Sequence, residues 1–421
     1  MDASDKKSQR FTVKCEQRLF NVISSSTIEC PAVSTFTLIH CKDISLFLSA
    51  VESVLNANPI LSGYATSGTH AVTGQKGYCV VPNHYSFVDI CKVVHWPSDQ
   101  PFDIPSDLKE MIQYLRQKVR YHVPDLGTGW FQLKNGSRLF AVTVIDQLPD
   151  NHIVLHISIS HAIADAYTYY KIITQINEVM KYGKIQTPLR WNELTVIQDE
   201  QEKLSWYALL LMTVYICIGK MVYLYRTMWQ TSYFSDIAVV DDHVVSRLKT
   251  SMKRSDSTGY YLTTNDILCS AIAYRVKANL SFSILNLRQR LDLTNVAGNY
   301  LSISIGYKCH DPDAVRSCNK EMKGLHDLIE ENAISFSSVI NDVSSAVSNW
   351  ASLCQFLEIP CEDYHLLCHV PGKFDMVKNA CRQCVVFKAT KDKVCVLSDT
   401  STIASITDVN DANDLFGNLL M

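Results

Sequence analysis

Ser160-His161-Ala162-Ile163-Ala164-Asp165-Ala166 sets an imidazole and a carboxylate four positions apart among small side chains. A neutral imidazole, with an ordinary pKa of about 6.5, can take a proton from a hydroxyl, thiol or amine as that atom attacks a carbonyl. Ala162, Ala164 and Ala166 leave room for a substrate to approach the ring. A histidine here can equally be a satisfied core residue. Asp165 also has two readings. It orients His161, or it pairs with a cation elsewhere, because a buried aspartate needs a partner. Arg288 and Arg290 are the cations at hand, with Arg288 the first choice. No G-x-S-x-G elbow supplies a serine nucleophile. His156 is five residues upstream across a strand, which is poor geometry for sharing a metal with His161. What remains is a histidine acting directly on an acceptor, with no covalent enzyme intermediate and no metal.

The elements that must position this pair are legible on either side. Ile153 to Ile159 is rich in β-branched and apolar residues and predicts a strand. From Ala162 to Met180 apolar residues recur at helical spacing, so His161 falls at a strand-to-helix junction. On a continuous helix Asp165 would lie one turn further along. Leu139–Val144 predicts a partner strand, joined by a turn at Pro149-Asp150-Asn151. Phe36–Ile39 and Tyr78–Val81 read as further strands, and Ile44–Leu55 and Leu108–Val119 as helices. The second half restarts as α/β near Ser235. There Thr263-Thr264-Asn265-Asp266 offers a helix N-cap, Phe282–Asn286 and Tyr300–Tyr307 read as strands, and Cys384–Leu397 as a hairpin turning at Thr390-Lys391-Asp392.

A chain of 421 residues exceeds one hydrophobic core, so two domains are expected. The boundaries read as 1–200, an apolar linker at 201–234, and 235–421. A net charge of −3 without a basic block argues against nucleic-acid binding. The polar stretch Met1–Arg10 lacks an apolar signal region, so the 15 cysteines are expected to be reduced thiols in the cytoplasm. Sequons at Asn135 and Asn279 are then chance matches. Cys361, Cys368, Cys381 and Cys384 could be drawn as a zinc site, but their spacing is irregular and their flanks resemble strands. Trp206–Tyr225 is apolar except for Lys220. A helix buried against the protein is the first reading of this run. Peripheral contact with a membrane, aided by Lys203, Lys220 and Arg226, is the second, and a true span the third.

The residues 160–166 resemble the H-H-x-x-x-D-G motif of the chloramphenicol acetyltransferase-like superfamily. That group includes BAHD acyltransferases, wax ester synthase/diacylglycerol acyltransferases, alcohol acyltransferases and the condensation domains of peptide synthetases. Two further stretches match in order. Thr264-Asn265-Asp266-Ile267-Leu268 is similar to the T-N-D-x-x-L helix start, and Leu287-Arg288-Gln289-Arg290-Leu291 with Gly298-Asn299 is similar to R-x-R…G-N. Ser160 stands where many members have a first histidine, Ala166 replaces the usual glycine, and no D-F-G-W-G sequence occurs near the C-terminus. Pro371–Met376 is its poor local substitute.

The resemblance implies two related α/β subdomains, with mixed sheets flanked by helices and an active-site channel between them. It implies an acyl-CoA-dependent O-acyltransferase in lipid or secondary metabolism, with acyl-CoA as co-substrate, no bound cofactor, and a small hydroxyl-bearing acceptor. His161 is the implied base. Asp165 is structural, salt-bridged to Arg288 or else Arg290, while Ser160, Ala166 and Asn299 lie near the substrates. The missing D-F-G-W-G and the run at 206–225 lean towards lipid or alcohol acceptors. The expected form is a monomer, cytoplasmic, with 206–225 as any membrane contact. The alternatives are an N-acyltransferase or condensation-type amide former, or a catalytically silent binding protein of the same fold.

Overall fold

A computed structural model describes residues 11–13, 31–69, 76–124, 126–128, 132, 135–191, 236–251, 262–289, 292–321, 328, 344–372 and 382–398. The chain divides into two compact units. One comprises Met1–Gln201, Arg288–Tyr300 and Gln355–Met376, and the other Glu202–Leu287, Leu301–Cys354 and Val377–Met421.

In chain order the first unit supplies β1 (Phe11–Val13), β2 (Val33–His40), α1 (Ser45–Ala57), β3 (Tyr64–Thr69), β4 (Lys76–Val81), α2 (Phe87–Ile90) and β5 (Cys91–His95). It continues with α3 (Leu108–Gln117), β6 (Phe140–Asp146), β7 (His152–Ile159), α4 (Ala166–Tyr182) and β8 (Arg190–Trp191). The second unit adds β9 (Asp236–Asp241), α5 (Asp242–Ser251), α6 (Thr264–Arg275) and β10 (Leu280–Asn286). The chain then returns to the first unit with β11 (Val296–Ala297), and to the second with β12 (Leu301–Tyr307), α7 (Pro312–Glu321) and β13 (Ser344–Asn349). β14 (His365–Pro371) belongs again to the first unit, and the hairpin of β15 (Arg382–Lys388) and β16 (Lys393–Ser398) to the second.

The expected cut at 201–234 did not foresee these two returns. Backbone pairing explains them: β14 adds to β2 as an edge strand, and β11 pairs with β8, so both segments find their ladder partners in the first unit.

The first unit is built on a mixed five-stranded sheet in the order β14-β2-β7-β6-β5. β5 and β6 are parallel and the other pairs antiparallel. β6 and β7 are joined through the 3₁₀ turn Pro149–Asn151, where the turn was expected. β7 lies inside the sheet and is buried from Ile153 onward, which matches its apolar composition. α4 packs on α1 and buries Ile172, Ile173, Ile176 and Val179 at helical spacing. Each such side chain contributes about 1.5–3 kcal/mol by leaving water. Gly183, with φ 71°, ends the helix in a left-handed turn that glycine adopts without strain, and its N–H returns to the Val179 carbonyl.

The second unit carries a six-stranded mixed sheet, β12-β10-β13-β15-β16-β9. α6 is capped as the sequence predicted. Thr263 Oγ1 accepts from the Asp266 N–H, and Asp266 accepts from the Thr263 N–H in return. The helix is buried from Asp266 to Ala273 and sits in that unit's core.

Among the described residues, no helix is long and apolar enough to cross a membrane. The run at 206–225 lies outside the described residues, as do Arg290 and Cys381.

Candidate active site

β7 ends at Ile159 and passes into a tight turn, not directly into a helix. The Ser160 carbonyl accepts from the N–H groups of Ile163 at 3.1 Å and Ala164 at 3.2 Å. Ser160 Oγ accepts from the Ala162 N–H at 3.2 Å. A serine that satisfies nearby backbone in this way competes with helix formation. Thus α4 begins at Ala166, four residues later than the apolar spacing alone suggested, and Asp165 is its N-cap. His161 and Asp165 are therefore not neighbours on one helix face. Ser160 was expected among the substrate-binding residues. It is fully buried, and its oxygen is engaged in the turn. Ala166, also expected there, is the buried first residue of α4.

Asp165 is buried and fully bonded. Its Oδ1 accepts from the Thr168 N–H at 2.9 Å, closing the N-cap. Its Oδ2 accepts from Arg288 Nη1 at 2.7 Å and from the Tyr300 N–H at 3.2 Å. Arg288 was the first choice of partner, and the structure makes that pair. The guanidinium is itself wholly buried, with Nε donating to the Val296 carbonyl at 2.8 Å and Nη2 to the Gly298 carbonyl at 2.6 Å and to Thr168 Oγ1 at 3.0 Å. It lies over the rings of Tyr167 and Tyr300, 4.6 and 4.8 Å from their centroids. Gly298 takes φ 138°, a region that favours glycine, and its N–H donates to Thr168 Oγ1 at 3.0 Å. This network pins the loop of residues 288–300 to the start of α4.

That loop also reaches the histidine. Asn299 Nδ2 donates to the His161 carbonyl at 2.6 Å, so Asn299 holds the turn that carries His161. Asn299 Oδ1 and His161 Nδ1 are both buried without a hydrogen bond of ordinary geometry. His161 as a whole is half-buried, and its Nδ1 is enclosed. Burial pushes the imidazole below its ordinary value of 6.5, against smaller opposing pulls from its own backbone carbonyl, the Asp165 carboxylate and the Asn299 side chain. Desolvation is the largest of these influences, so the ring stays neutral to lower pH than a free imidazole. A ring so placed is suited to taking a proton from a group that approaches from outside.

His161, Asp165, Arg288 and Asn299 are thus brought into one network. Thr168, Tyr167 and Tyr300 were not singled out from the sequence. An aspartate three residues before a threonine at a helix start is a readable N-cap signal, and it would have found Thr168. The two tyrosines carry no local signal, because their role depends on where Arg288 arrives. Among the described residues, no group of three or more His, Cys, Asp or Glu side chains could hold a metal ion.

No protein-family model matches the chain, and no curated protein matches its sequence. Solved structures do. TRI101 of F. graminearum complexed with ethyl coenzyme A aligns with a TM-score of 0.60 at 12% identity, covering 94% of this chain and 96% of that one. TRI101 of F. sporotrichioides complexed with coenzyme A and T-2 aligns at 0.55 and 11%, covering 92% and 93%. The first condensation domain of the CDA synthetase aligns at 0.55 and 8%, covering 94% of each chain. The fold is therefore the α/β fold that these structures share, with mixed sheets flanked by helices.

Proposed function

We propose that the protein is an acyl-CoA-dependent acyltransferase in which His161 is the general base and the acceptor is a small hydroxyl compound. The observation that carries this reading is the histidine itself. It is a partly desolvated imidazole just past a strand end, its backbone held by Asn299, beside the buried Asp165–Arg288 pair. The fold supports it, since TRI101 structures with the same fold are complexed with coenzyme A together with T-2 or deoxynivalenol.

In this reading Nε2 removes the acceptor proton as the oxygen attacks the thioester carbonyl. The tetrahedral oxyanion collapses, the C–S bond breaks, and the imidazolium returns the proton to the departing coenzyme A sulfur. Asp165 takes no part in the proton transfer, because both its oxygens are committed to backbone and Arg288. It is a strut.

The condensation-domain likeness favours a second reading, in which the acceptor is an amine and the product an amide. The same base serves both. A thiol-release assay separates them: several acyl-CoA lengths are offered against fatty alcohols, sterols, glycerides, phenols and amines. Turnover with hydroxyl acceptors and not with amines is the expected result. His161→Ala should lower that turnover by about 10²–10⁴-fold. An unchanged rate in the variant rules out His161 as base, and no thiol release with any acceptor favours a silent binding protein. Peripheral docking through residues 206–225 is a further part of the proposal that rests on their apolar composition. Full-length protein should then sediment with membranes, and protein lacking residues 204–226 should not.

A further inference from the structure

A second reactive arrangement lies at the opposite end of the same sheet. Cys41 directly follows β2, and Cys361 lies just ahead of β14, the strand paired with β2. Their sulfurs are 3.3 Å apart. The Cys41 thiol donates to the Asp43 carbonyl at 3.1 Å, which leaves its sulfur lone pairs free to face Cys361.

The backbone around both cysteines is tied down. The Cys41 N–H donates to the Asn151 carbonyl at 3.0 Å, and the Cys361 N–H to the Ile359 carbonyl at 2.8 Å. His40 Nδ1 meets the Asp363 carbonyl at 2.8 Å, and Lys42 Nζ pairs with the Asp363 carboxylate at 2.7 Å. Residues on both sides of Cys41 are thus bonded to the turn that follows Cys361. Closing to a disulfide needs the sulfurs to approach by about 1.3 Å.

The two thiols differ in access. Cys41 is buried, and burial, reinforced by the neighbouring Cys361 thiol, pushes it up to about 11. Cys361 is half-buried and meets solvent. A partly accessible thiol next to a buried partner has the layout of a sensing cysteine with its resolving cysteine.

We infer that Cys361 and Cys41 form an oxidisable pair, with Cys361 oxidised by a hydroperoxide and Cys41 closing the disulfide. In the first step the Cys361 sulfur attacks a peroxide oxygen and the O–O bond breaks. The other oxygen leaves as water or alcohol, and Cys361 becomes a sulfenic acid. The Cys41 sulfur then displaces that hydroxyl, which departs as water with the Cys41 proton. The two sulfurs lose two electrons, and the O–O bond takes them up. The link would fasten the β14 segment to β2 at the end where His40 faces His152. His161 follows the other end of β7, roughly 25 Å away along the strands. The pair is therefore independent of the acyl-transfer reading.

Peptide mapping tests it. Full-length protein is treated with hydrogen peroxide, alkylated, digested without reduction and analysed by mass spectrometry. Mapping is needed because Cys309 and Cys318 also stand 3.4 Å apart in the second unit, so a thiol count alone is ambiguous. The expected result is a cross-linked peptide pair containing Cys41 and Cys361, lost on reduction and absent from Cys361→Ser. Recovery of both cysteines singly alkylated, or of Cys361 as sulfinic or sulfonic acid beside an unmodified Cys41, would overturn the assignment.

Discussion

His161 is only half-buried, unlike an ordinary core histidine, and its Nδ1 is enclosed without a hydrogen bond of ordinary geometry. Desolvation is the larger influence, and it keeps the ring neutral to lower pH than a free histidine. A general base works only while neutral, so the rate falls as pH drops through the lowered pKa. The acid limb of the kcat/KM profile is therefore expected below pH 6.5, the ring's ordinary value, and a limb at or above it would contradict the burial described. Asn299 was expected near the substrates, and its amide grips the His161 carbonyl. The motif made Asn299 visible but left its contact unspecified, because that contact spans 138 positions of sequence.

At the scale of elements, the start of α4 is decided by competing hydrogen bonds. Apolar spacing predicted a helix from Ala162, yet the Ser160 hydroxyl takes the Ala162 N–H and Asp165 caps at Ala166. Spacing reports which residues are buried. It does not report where backbone donors are satisfied, and both the turn and the helix bury Ala162 and Ile163. The Asp165–Arg288 pair then joins this helix start to the loop of residues 288–300. Breaking such a buried pair on one side leaves an uncompensated charge, so Asp165→Asn or Arg288→Met should each destabilise the fold by about 3–5 kcal/mol. The double variant removes both charges and should cost clearly less than the sum. Urea unfolding of the three variants measures this, and simple additivity would show that the pair is not coupled.

For the whole molecule, acid stability offers a separate check on the first unit's interior. His369, on the edge strand β14, is buried between Tyr170 Oη and Thr37 Oγ1, each at 3.0 Å, which links α4, β2 and β14. Burial lowers its pKa from 6.5 to about 3. Between those values the unfolded chain binds a proton that the folded chain refuses, so stability falls as pH falls through that window. A His369→Gln variant should show a slope shallower by up to about 1.4 kcal/mol per pH unit between roughly pH 6 and 4. Urea midpoints measured across that range test it, and parallel slopes would mean that His369 is protonated in the folded state.

What the sequence determined by itself was local. β6 and β7 with their turn, the N-cap of α6, the C-terminal hairpin and the candidate base all follow from alternation, turn chemistry and short motifs within a few residues of one another. The tertiary structure alone decided which distant segments complete the first unit and what each polar group touches. β14 closes an edge of a sheet whose other strands all precede residue 160, and Arg288 enters between Tyr167 and Tyr300 to meet Asp165. The physical reason is that a buried charge must find a partner and an open sheet edge can accept one, but neither says how far along the chain that partner lies. The motif offered two arginines as candidates, and folding carried Arg288 to the aspartate.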